Sequence, residues 1–264
     1  MSKILDEAKK IDTVEWIFFE GGEPFLFFPL LNESIKRASK KGFKVGVVTN
    51  AYTAVSEEDA ELCLRPLIES GLSSLSVSND TFHYGNNLEN PATHAENVAR
   101  RLGIEASQIS IEPPKALRKY FDPKGKGSPV LGGGVRFRGR AVEKLAGNLP
   151  LRPWEELCEC PDEDLDSPSR VHIDPYGNVM VCQGLSIGNA WITPLSQLFL
   201  KYRSAGHPIC GPINRGGPAE LAEEFGFKPT AGYVDECHLC FLVRKAIIDQ
   251  FPDYLSPKQV YGLE

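Results

Sequence analysis

The run Glu15-Trp16-Ile17-Phe18-Phe19-Glu20 stops abruptly at Gly21-Gly22-Glu23-Pro24, and no other stretch constrains the fold as much. Its near-continuous apolar character predicts a strand buried on both faces. The two glycines free the backbone for unusual dihedrals and for close approach to a ligand. Glu23 then stands at the carboxyl end of the strand, where α/β proteins place their ligands. Pro24 fixes the direction in which the chain leaves and donates no hydrogen bond. An acid at the end of a buried strand also needs a partner.

Strand and helix patterns alternate on either side of this stretch. Residues 3–12 carry Ile4, Leu5, Ala8 and Ile11 on one helical face, ahead of strand 15–20. Leu30, Leu31, Ile35 and Ala38 mark a second helix, stopped by Gly42, and Lys44–Asn50 reads as the next strand. Ser56 caps a third helix with the stripe Ala60, Cys63, Leu64, Leu67 and Ile68, which Pro66 is expected to kink or split. Strand 72–78 runs into Asn79-Asp80-Thr81-Phe82-His83, a helix follows over 90–102, and strand 108–112 closes at Pro113-Pro114. Val135–Arg138 reads as a further strand. Such alternation predicts parallel βα units, in a partial or full barrel or an open doubly wound sheet. Neither G-x-G-x-x-G between strand and helix nor G-x-x-x-x-G-K-[ST] is present, and Gly132-Gly133-Gly134 reads as a loop. A βα array normally begins with a strand, whereas this chain begins with a helix. The expectation is that an N-terminal strand is missing.

The length of 264 residues fits one large domain, or one large and one small. An apolar fraction of 42% supports a sizeable core and argues against bulk disorder. The net charge of −6 is spread over interspersed charges, so non-specific nucleic-acid binding is not expected. The basic loop Lys115–Lys126, with Tyr120 and Phe121, reads as solvated. The N-terminus has no apolar signal core, and the stretch from Trp16 to Leu31 is interrupted by Glu20–Pro24, so no membrane segment is expected. The expected compartment is the cytoplasm, where clustered cysteines point to metal rather than disulfides.

Seven cysteines are unevenly placed: Cys63 alone lies in the first half, on a helical stripe that suits a core residue. Leu149–Pro153 reads as a linker, dividing the chain into 1–148 and 149–264. Beyond it come Cys158-Glu159-Cys160-Pro161 and a hairpin whose second strand, Val179–Cys182, delivers Cys182 to a defined place. A short helix near 194–202 and a loop through Gly217, carrying Cys210, follow. Cys237-His238-Leu239-Cys240 then opens an apolar helix, a position that brings two sulfurs to one metal and favours thiolate. Four thiolates complete a [4Fe–4S] or a zinc site. The chosen set is Cys160, Cys182, Cys237 and Cys240, with Cys158 in reserve for Cys160 and Cys210 set aside. His83 and His94 read as surface or locally bonded, His172 as structural, and His238, between the two cysteines, as pointing outward.

Gly21, Gly22, Glu23 and Pro24 at a strand end resemble the methionine-binding motif of radical S-adenosylmethionine enzymes. In that family the next strand often ends in Thr-Asn, matched by Thr49-Asn50, and the one after in a Ser-x-Asp segment, matched by Ser78-Asn79-Asp80. Ile111 and Glu112 are weaker matches, and Arg138-Gly139-Arg140-Ala141 looks like the start of a late helix. The resemblance covers roughly residues 1–145. It implies an α/β fold: an incomplete (βα) TIM-like partial barrel, followed by a small α+β cysteine-rich metal-binding domain. It also implies S-adenosylmethionine as cofactor, held by Gly21, Gly22, Glu23, Pro24, Asn50, Ser78 and Asp80. The spacing Cys160…Gly177…Cys182 resembles the start of SPASM and twitch domains, which implies one auxiliary [4Fe–4S] cluster in preference to zinc. A peptide or protein substrate, and an electron donor such as ferredoxin or flavodoxin, are the implied partners. The family's catalytic [4Fe–4S] cluster is bound by Cys-x-x-x-Cys-x-x-Cys, which this sequence lacks. A catalytic cluster is therefore expected only with an upstream segment. The expectation is a truncated radical enzyme, with a non-catalytic metal-binding member of the same fold as the alternative.

Overall fold

The computed structural model describes residues 1–116, 130–131, 133–230 and 232–263. Residues 117–126 of the basic loop, with Tyr120 and Phe121, and Gly132 of the triple glycine lie outside the described residues. The chain forms two compact units, Met1–Glu112 and Pro113–Glu264, a division that falls ahead of the linker at 149–153.

The first unit runs α1 (Ser2–Ala8), β1 (Trp16–Phe19), α2 (Phe28–Lys40), β2 (Lys44–Thr49), α3 (Glu57–Glu69), β3 (Ser74–Ser78), α4 (Thr81–Tyr84), α5 (Pro91–Arg101) and β4 (Glu105–Ile109). A 3₁₀ turn, Pro24–Phe27, lies between β1 and α2. The four strands form one parallel sheet in the order β1-β2-β3-β4. The starts of α3, α4 and α5 carry side-chain caps. Ser56 accepts the Asp59 amide at 3.1 Å to open α3, and Asn90 accepts the Thr93 amide at 3.1 Å to open α5, with Pro91 in its first turn.

One face of the sheet carries Val45, Val47, Leu75 and Val77, all fully buried where α2, α3 and α5 pack. Burying a side chain of this kind contributes about 1.5–3 kcal/mol. Gln108 reaches Glu96 of α5 from that same face. By strand alternation Trp16, Phe18, Gly46, Val48, Ser76, Ser107 and Ile109 share the opposite face. There Phe18 lies across Gly46, where a side chain would overlap its ring, and stacks on Trp16 with centroids 5.4 Å apart. Ser76 and Ser107 hydroxyls meet at 3.1 Å.

Several expectations are corrected. Among the described residues β1 is an edge strand, and Phe18 is 44% exposed, so β1 is not buried on both faces. Its apolar run serves an aromatic pair laid along the sheet surface. Pro66 does not split α3, because it sits in the last turn and interrupts little of the hydrogen-bond ladder. The fourth strand is 105–109 rather than 108–112: as an edge strand with mostly exposed residues it needs no apolar run. Val135–Arg138 is not a strand, although Phe137 within it is buried.

The second unit contains the short antiparallel pair β5 (Lys115–Ala116) and β6 (Val130–Leu131), then α6 (Arg140–Leu145). An antiparallel sheet follows, β7 (His172–Ile173), β8 (Asn178–Cys182) and β9 (Leu185–Asn189), and then α7 (Leu195–Lys201), α8 (Cys210–Glu224) and α9 (Glu236–Ala246). The glycine- and proline-rich stretch expected as a loop is α8, kinked at Gly216-Gly217. Pro212 falls in its first turn and Pro218 directly after the kink, where a missing amide costs least. Leu157, Val181, Ile209, Leu221, Leu239 and Val243 are among the residues of one core. No helix among the described residues is long and apolar enough to cross a membrane.

Buried His207 helps start α8. Its Nδ1 accepts the amides of Ile209 and Cys210, each at 3.1 Å, so Nε2 carries the proton and donates to the Ser186 carbonyl at 3.0 Å. Burial holds its pKa below the ordinary 6.5. The stability this neutral ring contributes is therefore full above about pH 6.5 and is lost as pH falls from there through the depressed value. We expect His207→Gln to lower stability at neutral pH and to flatten the acid-side decline in urea unfolding. Parallel declines in both proteins would assign that decline to other groups.

Candidate functional site

The carboxyl ends of β1, β2 and β3 bring the strand-end residues together. Glu23 is the strut. Its Oε1 accepts the Phe25 amide at 2.9 Å and the Thr49 hydroxyl at 2.8 Å, and its Oε2 accepts the Asn50 amide at 2.9 Å. The acid thus caps the turn that Pro24 opens and ties the exit of β1 to the exit of β2. The backbone before it remains uncovered. A methyl group built on Gly21 or Gly22 would meet no atom within 4 Å, and Gly21 has a φ of 129° that only glycine adopts freely. Of the expected binding groups, the Gly21–Gly22 backbone is therefore the part left open, while the carboxylate is already engaged by three donors.

Asn50 is held on both sides: Oδ1 accepts the Tyr52 amide at 3.2 Å, and the carbonyl accepts the Tyr84 hydroxyl. Burial pushes the Tyr84 hydroxyl up to about 12, with Tyr52 and Glu23 adding to the shift. Ser78 is the last residue of β3. Asp80 opens α4: Oδ1 accepts the amides of Phe82 and His83 at 3.0 and 3.1 Å and meets His83 Nδ1 at 2.8 Å, while Oδ2 accepts the Ile111 amide at 3.2 Å. Burial opposes its charge, but the bonds from His83 and Ile111 outweigh burial and hold the carboxyl below its usual value. Tyr52, His83 and Tyr84 form an aromatic group, with Tyr52 edge-on to Tyr84 at 5.7 Å. Sequence reasoning missed the two tyrosines; their signal is position, just after β2 and within the turn after β3.

Removing the Glu23 carboxylate would leave the Asn50 amide without its acceptor. We expect Glu23→Ala to cost about 1–3 kcal/mol in urea unfolding, and Gly22→Ala, which meets open space, to cost far less. Equal effects would refute the strut assignment.

In the second unit the cysteines converge from three directions. Cys182 ends β8 at the hairpin, and Cys240 lies in the second turn of α9. Cys160 follows a segment held against α8, where the Ala219 amide donates to the Leu157 carbonyl at 3.1 Å. Gly217, with φ of 65°, lets the backbone of Cys158 and Glu159 lie directly on the helix kink, where any side chain would overlap them. The Arg152 and Tyr233 backbones exchange bonds of 2.8 and 2.9 Å, which sets the start of α9 beside the same segment. Asp235 caps α9 through the His238 amide at 2.8 Å.

Cys160, Cys182 and Cys240 face one another closely enough to interact electrostatically. Cys237 faces Cys240 and donates its thiol to Asp162 Oδ2 at 3.0 Å. Cys158 is exposed and donates to the Glu155 carbonyl at 3.0 Å, so it does not join the group. Cys210 does: it is fully buried at the start of α8 and faces Cys182, Cys240 and Tyr202. Its apparent loop setting hid it in the sequence; its position six residues before the Gly216-Gly217-Pro218 kink is the signal.

Burial raises the pKa of Cys160 and Cys237, and pushes Cys240 up to about 11 and Cys210 up to about 12. Such thiols are protonated and poor nucleophiles near neutral pH. A metal that displaces the protons would convert them into ligands. Soft sulfur donors of this kind suit zinc or an iron–sulfur cluster. Among the described residues no three His, Cys, Asp or Glu side chains close on one point, so the thiols form a loose group rather than a finished ligand sphere. All seven cysteines are free thiols.

No protein-family model matches the chain. Over 131 residues it is 30% identical to a tungsten-containing aldehyde ferredoxin oxidoreductase cofactor-modifying protein of Pyrococcus furiosus. That match takes in 49% of this chain and 32% of the relative, so the chain spans about a third of the length of the curated relative it matches. The similarity is consistent with a metal-related function.

Proposed function

We propose that this chain is a radical S-adenosylmethionine-type iron–sulfur protein, in which the parallel sheet is part of an incomplete βα barrel. The observation that supports this most is the exit of β1, where the Gly21–Gly22 backbone is open to a ligand while Glu23 holds β1 and β2 in register. Backbone carbonyls and amides there suit the amino and carboxylate groups of a methionine moiety, with Asn50, Ser78 and Asp80 at the neighbouring strand ends. The cofactor, when bound to a reduced iron–sulfur cluster, supplies the radical chemistry. The chain's own residues bind and orient it. In the second unit Cys160, Cys182, Cys237 and Cys240 would hold an auxiliary [4Fe–4S] cluster, with Cys210 able to replace Cys237. The similarity to a cofactor-modifying protein supports a role in metal- or cofactor-linked modification, with a peptide or protein substrate and a ferredoxin- or flavodoxin-type donor as expected partners.

The second reading is a metal-binding protein that keeps the fold without catalysis. The thiol group of the second unit, with Cys160, Cys182, Cys210 and Cys240 facing one another, supports its metal-binding part.

The first reading predicts that the full chain binds S-adenosylmethionine in equilibrium dialysis. Gly22→Ala should weaken that binding at least about tenfold, because a methyl group would fill the space left for the ligand, and should leave the unfolding midpoint unchanged. Unchanged binding would remove the glycine cradle. After anaerobic reconstitution we expect about four iron and four sulfide per chain, reduced in Cys182→Ser and in Cys240→Ser. One zinc with no iron would replace the cluster by a structural metal site.

A further inference from the structure

Arg244 in α9 is buried to 2% exposure, the largest fully buried side chain among the described residues. A guanidinium stays charged in any protein setting and carries five donors. Here the partners it meets are neutral groups. One bond goes to the Gln183 carbonyl at 3.1 Å, a long one to the Cys240 carbonyl at 3.4 Å, and the group lies over the Tyr261 ring at 5.7 Å. Among the described residues no carboxylate pairs with it. The ionisable groups that face it are Tyr261, Cys240, Cys182 and Cys237. A second cation bears on the same sulfurs, since Arg138 donates to Cys182 Sγ at 3.0 Å.

A buried charge without a counter-charge is costly, and cores do not keep one idly. The thiols around Arg244 are neutral when protonated and cannot offset it. Four thiolates on one Zn²⁺, or on a [4Fe–4S]²⁺ cluster, carry a net charge of about −2. We infer that Arg244, seconded by Arg138, is the built-in counter-charge of an anionic thiolate-ligated metal centre, and that it positions that centre by favouring the metal-loaded state over the empty one. The inference rests on the tail cysteines holding a metal; it is independent of S-adenosylmethionine.

The inference predicts opposite effects on the two states. In the metal-free full chain, Arg244→Met replaces an unpaired buried charge with an apolar group of similar length, so the unfolding midpoint should stay equal or rise. In the metal-loaded chain the same change removes the counter-charge, so retention should fall about 10–100-fold, the usual cost of losing an outer partner of a metal site. Arg244→Lys, which keeps the charge, should retain most of the affinity. The probes are zinc alone, competed with a chelator, and iron plus sulfide under anaerobic reconstitution, with metal per chain and unfolding midpoints read in both states. A metal-free Arg244→Met chain that melts lower, with retention equal to wild type, would make Arg244 a packing residue and overturn the inference. Should Arg244→Met fail to fold, Arg138→Gln at the partly exposed second cation must still weaken retention, and wild-type retention there overturns the inference too. Wild-type chain that takes up neither zinc nor iron and sulfide would instead overturn the metal site itself, and the inference with it.

Discussion

Glu23 ties the exit of β1 to the exit of β2. Its two oxygens collect an amide from its own turn, a hydroxyl from β2 and an amide from the residue after β2. A carboxylate meeting three donors is well compensated, and charge-assisted bonds of this kind are stronger than neutral ones. With Glu23 in place, the two glycines before it are held in one shape with open space over them, and Pro24 starts the turn into α2. The arrangement extends along the sheet edge. Tyr84 clamps the Asn50 carbonyl, and Asp80 reaches across to the Ile111 amide, so β1 to β4 are tied at their carboxyl ends by side chains as well as by the sheet. In this rim the backbone of Gly21 and Gly22 stands uncovered.

The second unit solves a different problem. It gathers thiols, buried at Cys210 and half-buried at the others, from a hairpin end, helix starts and a segment pressed onto a helix kink. Each delivery has a local cause: the antiparallel pairing of β8 with β9, the Asp235 cap of α9, and the absence of a side chain at Gly217. The thiols sit beside a buried arginine rather than beside aliphatic side chains alone. Protonated sulfur gains little from that cation, whereas metal-bound thiolate gains much in a site of low dielectric. The electrostatics of this unit therefore make sense around an anion.

Much of the first unit was legible because its strands and helices are punctuated cleanly. Apolar stripes such as Leu31, Ile35 and Ala38, and caps such as Ser56, carry their own signals. The failures have physical causes too. β4, Glu-Ala-Ser-Gln-Ile, is an exposed edge strand held by backbone pairing and by the Gln108–Glu96 contact, so no apolar pattern announces it. α8 looked like a loop because Gly216, Gly217, Pro212 and Pro218 usually break helices; here they fall at a first turn and at a kink where breaking is the point. That error displaced Cys210 from the candidate ligands. The role of Glu23 was legible as a need for a partner, but not the identity of that partner, since Thr49 and Asn50 are distant in sequence. Arg244 carried no signal: a lone basic residue in an apolar helix reads as a solvated side chain until its burial is seen.

The central claim is that the uncovered backbone after β1 is a cradle for S-adenosylmethionine. Amide hydrogen exchange of the full chain, with and without saturating S-adenosylmethionine, tests it most directly. The account predicts slowed exchange in residues 20–24, with smaller protection after β2 and β3. Unchanged exchange in residues 20–24, or protection confined to the second unit, would contradict it.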